Sequence, residues 1–168
     1  MASSPEQCDT WYTTPRGRWI AGHEFALLTR LRSPKSQATL LDVGTGTGHF
    51  ARRFSGIGLK VAGLDPESPA VAYAASKSAN ISYVQGDAHK LPFADGGFDY
   101  CTVVTSLCFI ADAGAAVREM WRVARCGIVL GVLYRQSLLH RPKAGCGAYA
   151  DTRWDDAGAV VTARLIEP

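Results

Sequence analysis

The chain has 168 residues, of which 47% are hydrophobic and 20% charged, proportions of a globular domain with a core of its own rather than of a disordered segment. Eighteen Lys and Arg against fifteen Asp and Glu leave a net charge of +3. That excess is scattered; the densest basic stretch, 16–32, is interleaved with Trp19, Ile20 and Leu27 in the manner of an amphipathic helix, so no nucleic-acid partner is expected.

Residues 1–16 are polar, contain Pro5 and Pro15, and read as an N-terminal arm. A helix is predicted from about Arg18 to Arg32, with Ile20, Leu27, Leu28 and Leu31 on one face and Glu24 in that stripe, read either as lying near its margin or as a carboxylate that anchors the next loop by hydrogen bonds. Thr39 to Val43 is a short apolar strand that runs into Gly44-Thr45-Gly46-Thr47-Gly48 and then into a helix from His49 to about Ser55, stopped by Gly56 and Gly58. Lys60 to Leu64 forms a second strand that ends at Asp65. A helix over about 68–78, a third strand over 81–85 and a fourth over 98–104 follow. Asp112 caps a helix whose stripe is Val117, Met120, Trp121 and Ala124, and a fifth strand covers 128–133. Strands alternating with helices imply a parallel sheet. Val103-Val104 and Ile128-Val129-Leu130 lack in/out alternation, as in strands covered on both faces.

Five cysteines, none in a CxxC pair, read as reduced thiols. With no signal-peptide pattern and no apolar run near the roughly 20 residues that span a bilayer, they suggest a cytoplasmic chain without a membrane span.

The chemistry is concentrated in the glycine cluster. Strand, glycine loop and helix make the first βα turn of a nucleotide-binding fold. Dinucleotide folds use GxGxxG; here the spacing is GxGxG, and His49 stands where close helix–strand packing wants Gly or Ala. Asp42, two residues before the first glycine, repels a pyrophosphate but suits a ligand carrying an ammonium group. S-adenosylmethionine has an α-amino group and a sulfonium and no phosphate. Asp65 can take both ribose hydroxyls, Asp87 can meet the exocyclic amine of adenine, and the Ala88 N–H can donate to the ring. Three carboxylates at the ends of successive strands lie where open α/β sheets bind ligands. Taken singly each has a plainer reading, Asp87 above all, as a turn former or cap.

Leu41-Asp42-Val43-Gly44-Thr45-Gly46-Thr47-Gly48 resembles the first signature of class I S-adenosylmethionine-dependent methyltransferases, and Gly63-Leu64-Asp65-Pro66 the second. Gly86-Asp87-Ala88, Leu91-Pro92-Phe93 and Phe98-Asp99 resemble the third and fourth, in an order similar to the type 11 subgroup; Trp11 to Gly17 resembles an N-terminal segment common there. The resemblance implies an α/β, Rossmann-like doubly wound fold, strand order 3-2-1-4-5 with helices on both faces, S-adenosylmethionine as cofactor, and methyl transfer to a small-molecule acceptor. It implies cofactor contacts at Asp42, Gly44, Thr45, Gly46, Gly48, Asp65, Pro66, Asp87, Ala88, Thr105 and Leu107, with Tyr12 as a lid or a surface packing residue.

Three departures stand out. The turn before the fifth strand is Ala124-Arg125-Cys126-Gly127 instead of a Pro-Gly-Gly type, and Pro69 occupies the second position of its helix, where Pro is tolerated. Residues 137–168 hold no clear pair of further strands, although Val160 to Ile166 suits one strand or part of a helix. The expected organisation is therefore an arm (1–16), a cofactor-binding domain (17–136) and a truncated C-terminal segment (137–168), with the fifth strand at an exposed sheet edge that invites homo-oligomerisation. No catalytic residue is singled out; His89 and His140 are candidate bases, and no metal-ligand spacing is present. Two other readings are a non-catalytic remnant that binds the cofactor and an NAD-dependent oxidoreductase, the latter opposed by Asp42 and by the glycine spacing.

Overall fold

The computed structural model describes residues 4–31, 35–132 and 164–166. Strands β1 (Thr39–Val43), β2 (Lys60–Asp65), β3 (Ser82–Gln85), β4 (Phe98–Val104) and β5 (Ala124–Gly131) alternate with helices α3 (His49–Gly56), α4 (Ser68–Lys77) and α5 (Ala113–Val123). They form one parallel sheet in the order β3-β2-β1-β4-β5, the order that the family resemblance implies.

Successive residues of the central strands bury to opposite faces. Leu40, Val104 and Val129 pack with Ala21, Leu28, Phe50 and Phe54 on one side; Leu41, Val103 and Ile128 pack with Ala116, Met120 and Val123 on the other. That double burial explains the continuous apolar runs. Each of the Leu, Val, Ile, Phe and Met side chains contributes roughly 1.5–3 kcal/mol by leaving water, less the entropy of ordering it. Asp112 caps α5, its Oδ1 accepting from the Ala115 N–H at 2.9 Å, and Pro69 lies in the first turn of α4.

Five expectations are corrected. The N-terminal stretch contains a helix, α1 (Pro5–Trp11), started by a reciprocal Ser4/Gln7 capping box with Pro5 in its first turn. Helix α2 (Pro15–Leu31) begins earlier than predicted, and Leu27 is exposed while Ala21 is buried. Glu24, at 6% exposure, lies between Ile20 and Leu28 within the buried face rather than at its margin. β5 starts at Ala124, because two of the residues expected to form a turn pair with β4, Ala124 opposite Phe98 and Gly127 opposite Tyr100, with a shift of register between them. Finally, β5 is not the edge strand over its central residues: β6 (Arg164–Ile166) pairs antiparallel with Ile128, Val129 and Leu130. The strand option for Val160 to Ile166 is thus met at its C-terminal residues; the rest of 137–168, His140 and Cys146 included, lies outside the described residues.

Candidate active site

The C-terminal ends of β1, β2 and β4 converge on the glycine loop. Gly44 has φ +68° and Gly48 φ +78°, values L side chains rarely adopt, and neither has room for one. A Cβ on Gly44 would lie 2.5 Å from that of Ser106, whose Oγ donates to the Gly44 carbonyl at 2.7 Å. One on Gly48 would lie 2.5 Å from the Tyr83 hydroxyl. Gly46 differs: φ is +54°, yet nothing lies within 4 Å of the place a Cβ would take. The loop is packed at its two ends and open at its centre.

Two buried carboxylates support it. Asp42 is 2% exposed, and its Oδ2 accepts from the Thr45 hydroxyl at 2.8 Å. Burial pushes its carboxyl up to about 7, with the neighbouring Asp65 adding to the effect and the Thr45 hydroxyl opposing it. Asp65 is 8% exposed; its Oδ2 accepts the Gly46 N–H at 2.8 Å and its Oδ1 the Glu67 N–H at 3.0 Å. Burial raises this carboxyl as well, against those two hydrogen bonds. Both groups keep lone pairs for further donors. Two desolvated carboxylates beside an open backbone turn suit a ligand that brings positive charge and hydroxyl donors, and oppose one that brings phosphate.

The remaining predicted residues are arranged around this centre. Pro66 follows Asp65, and its carbonyl accepts from Gln85 Nε2 at 3.0 Å. Thr105 has φ +58°, unusual for a β-branched residue, and its N–H donates to the Gly131 carbonyl at 2.7 Å. Leu107 opens a short 3-10 helix (Leu107–Phe109) and packs on the α5-side core. Ala88 is buried there, next to Leu91. The Asp87 side chain is exposed, and its Oδ1 takes both the backbone N–H of His89, at 2.9 Å, and His89 Nδ1, at 2.6 Å. These contacts hold the Asp87 carboxyl below its ordinary value. His89 Nε2 in turn accepts the Asp112 N–H at 3.3 Å, so the nitrogen a base would use is already engaged. Hydrogen bonds thus join Asp42, the glycine loop, Asp65 and Ser106 into one unit, whereas Asp87 belongs to a separate set built on His89.

Sequence reasoning missed the way α1 is fastened. Asp9 Oδ1 accepts from Arg52 Nη2 at 2.7 Å and from the Thr47 hydroxyl at 3.2 Å, and Asp9 Oδ2 from the Tyr73 hydroxyl at 3.3 Å. One residue of the N-terminal helix therefore touches the glycine loop, α3 and α4. Tyr12 stacks on His49, centroids 3.7 Å apart and planes 9° from parallel. Burial and the adjacent Arg53 and Arg52 hold the His49 imidazole down to about 4, hence neutral. The Ser4-x-x-Gln7 box was the available signal for α1; nothing local announces the reach of Asp9. Among the described residues no His/Cys/Asp/Glu group could hold a metal ion, and no helix is long and apolar enough to cross a membrane.

A family model described as "Methyltransferase domain" matches residues 41–130, more than half of the 168-residue chain. A demethylmenaquinone methyltransferase of Roseiflexus sp. (strain RS-1) is 41% identical over 113 residues, 64% of this chain and 47% of that protein. A malonyl-[acyl-carrier protein] O-methyltransferase of Pectobacterium atrosepticum is 34% identical over 103 residues, 61% of this chain and 41% of that protein. The chain thus matches less than half the length of these relatives. The crystal structure of a SAM-dependent methyltransferase of Thermotoga maritima superposes with a TM-score of 0.71, covering 94% of this chain and 70% of that one at 24% identity, a likeness of fold. The chain belongs to the class I S-adenosylmethionine-dependent methyltransferase family, in its type 11 subgroup.

Proposed function

We propose that this chain binds S-adenosylmethionine at the glycine loop and transfers its methyl group to a small-molecule acceptor. The observation that carries the reading is the pair of buried carboxylates, Asp42 and Asp65, flanking a turn that is open at Gly46. In this reading Asp42 and Thr45 receive the amino end, and Gly44, Gly46 and Gly48 let the backbone approach the ligand. Asp65, with Pro66 shaping the turn after it, takes the ribose hydroxyls. Asp87 takes the adenine amine and the Ala88 N–H a ring nitrogen, while Thr105 and Leu107 face the methionine part. The cofactor supplies an electrophilic methyl group on a sulfonium, so the chain's own residues bind, align and exclude water rather than activate the donor. The two relatives carry names with different acceptors, demethylmenaquinone and malonyl-[acyl-carrier protein], and fold alone does not choose among acceptors. The near-neutral net charge favours a small molecule over nucleic acid.

The test is transfer of isotope-labelled methyl from S-adenosylmethionine into the small-molecule fraction of a cell extract. Label that appears with the wild type and not with Asp65→Ala supports the proposal. Tight cofactor binding with no transfer in any extract or metabolite set would leave a binding chain and remove the catalytic part of the reading.

A further inference from the structure

We infer that His89 is a positioning residue that sets the base selectivity of the cofactor site by fixing the orientation of Asp87. The inference deepens the proposed function and rests on its assignment of Asp87 to the adenine amine.

The geometry defines the tautomer. Nε2 faces a backbone N–H, that of Asp112 at 3.3 Å, and so acts as an acceptor. Nδ1 then carries the proton and donates to Asp87 Oδ1 at 2.6 Å. The same Oδ1 also receives the His89 backbone N–H at 2.9 Å. Both donors fall on one oxygen, which pins the carboxylate plane and leaves Oδ2 without a hydrogen bond among the described residues. A carboxylate so held presents a fixed acceptor, and an acceptor discriminates an exocyclic amine from an exocyclic carbonyl oxygen.

The imidazole also joins two loops. Asp87 lies just past β3, and Asp112 is the N-cap of α5, its carboxylate engaged with the Ala115 N–H at 2.9 Å. His89 therefore anchors the loop carrying Asp87 and Ala88 to the segment that follows Thr105 and Leu107. A surface turn would need only the backbone bond from His89 to Asp87. The second bond from the ring, and the third from the ring to another element, are what a turn-forming role does not account for.

The experiment compares the affinities of S-adenosylhomocysteine and S-inosylhomocysteine, which differ in the amine that Asp87 would read and in the protonation of the adjacent ring nitrogen, in wild type, Asp87→Ala, His89→Leu and His89→Gln. Leu removes both ring nitrogens while filling the space; Gln restores a donor and an acceptor on a side chain of similar reach. The wild type is expected to prefer the adenosyl compound by about tenfold, the scale of one hydrogen bond to a charged group. Asp87→Ala should reduce the preference to the part that the Ala88 N–H imposes at the ring nitrogen, His89→Leu should lower it toward the Asp87→Ala value, and His89→Gln should recover most of it. Melting temperatures separate these effects from unfolding, and the His89→Gln ratio stands as the probe if the Leu variant does not fold. An unchanged ratio in His89→Leu, beside a wild type and an Asp87→Ala that differ, overturns the role of His89 and leaves the cofactor reading intact. Wild-type binding without preference overturns it through Asp87. Absence of binding by either compound overturns the proposed function itself, and this inference with it.

Discussion

Asp65 Oδ2 accepts the backbone N–H of Gly46 at 2.8 Å, so the carboxylate that ends β2 fixes the middle of the loop that follows β1. The most open point of that loop is thus held from behind by a buried charge rather than by packed side chains.

Asp42 makes the stability of the free chain depend on pH. Its folded value, about 7, lies above the ordinary 3.8, so across that window the folded chain holds a proton the unfolded chain has released. The sign follows: the contribution of Asp42 to stability is fully present below about 4 and is lost as pH rises through 7. Asp42→Asn keeps an acceptor for the Thr45 hydroxyl and removes the buried charge. Its melting temperature should exceed that of the wild type at pH 8, with the difference shrinking at pH 5. An equal difference at both pH values would count against a desolvated carboxylate.

In the proposed function the same group should couple cofactor binding to protons. An ammonium beside Asp42 favours its ionised form, so binding of S-adenosylhomocysteine should release a proton near pH 6.5. The affinity should rise by up to about tenfold per unit as pH increases toward 7 and level off above it. Calorimetry in buffers of different ionisation enthalpy reads the proton directly. Asp42→Asn should show neither the release nor the slope.

Two glycines of the loop should fail for different reasons. Gly48→Ala places a Cβ 2.5 Å from the Tyr83 hydroxyl at φ +78°, and should destabilise the fold by roughly 2–3 kcal/mol, measured by denaturant unfolding. Adding Tyr83→Phe, which removes the nearest atom, should restore part of that loss. Gly46→Ala meets open space at φ +54° and should cost only about 1 kcal/mol of stability while weakening cofactor binding more strongly.

Helix α1 has no buried residue, so its place depends on polar contacts, chiefly those of Asp9 with Arg52, Thr47 and Tyr73. Asp9→Ala should speed amide exchange over residues 4–11 while shifting global stability by about 1 kcal/mol or less, the scale of partly exposed ion pairs. Unaltered exchange there would mean that contacts other than those of Asp9, such as the Tyr12–His49 stack, hold the helix.

The sheet was legible because its strands are buried on both faces: runs such as Leu40-Leu41 and Val103-Val104 admit no other placement. The glycine loop and its two carboxylates were legible because a charge within Leu41-Asp42-Val43 has few reasons to exist outside a binding site. What was not legible depends on distance in space. Glu24 and Leu27 exchange their expected exposure because helical spacing gives a face and not its boundaries. β5 absorbs the residues expected to turn, since pairing of Ala124 with Phe98 outweighs the local preference. The Asp9 contacts and the bond from His89 to Asp112 join segments that no sequence window contains together.

The most direct test of the cofactor site is calorimetric titration of the purified chain with S-adenosylhomocysteine, with Asp65→Ala alongside. The account predicts one site of micromolar affinity, lost in the folded variant, because the carboxylate that would take the ribose also holds Gly46 in place. Absence of binding by a folded, monodisperse wild type, or equal binding by the variant, would contradict it.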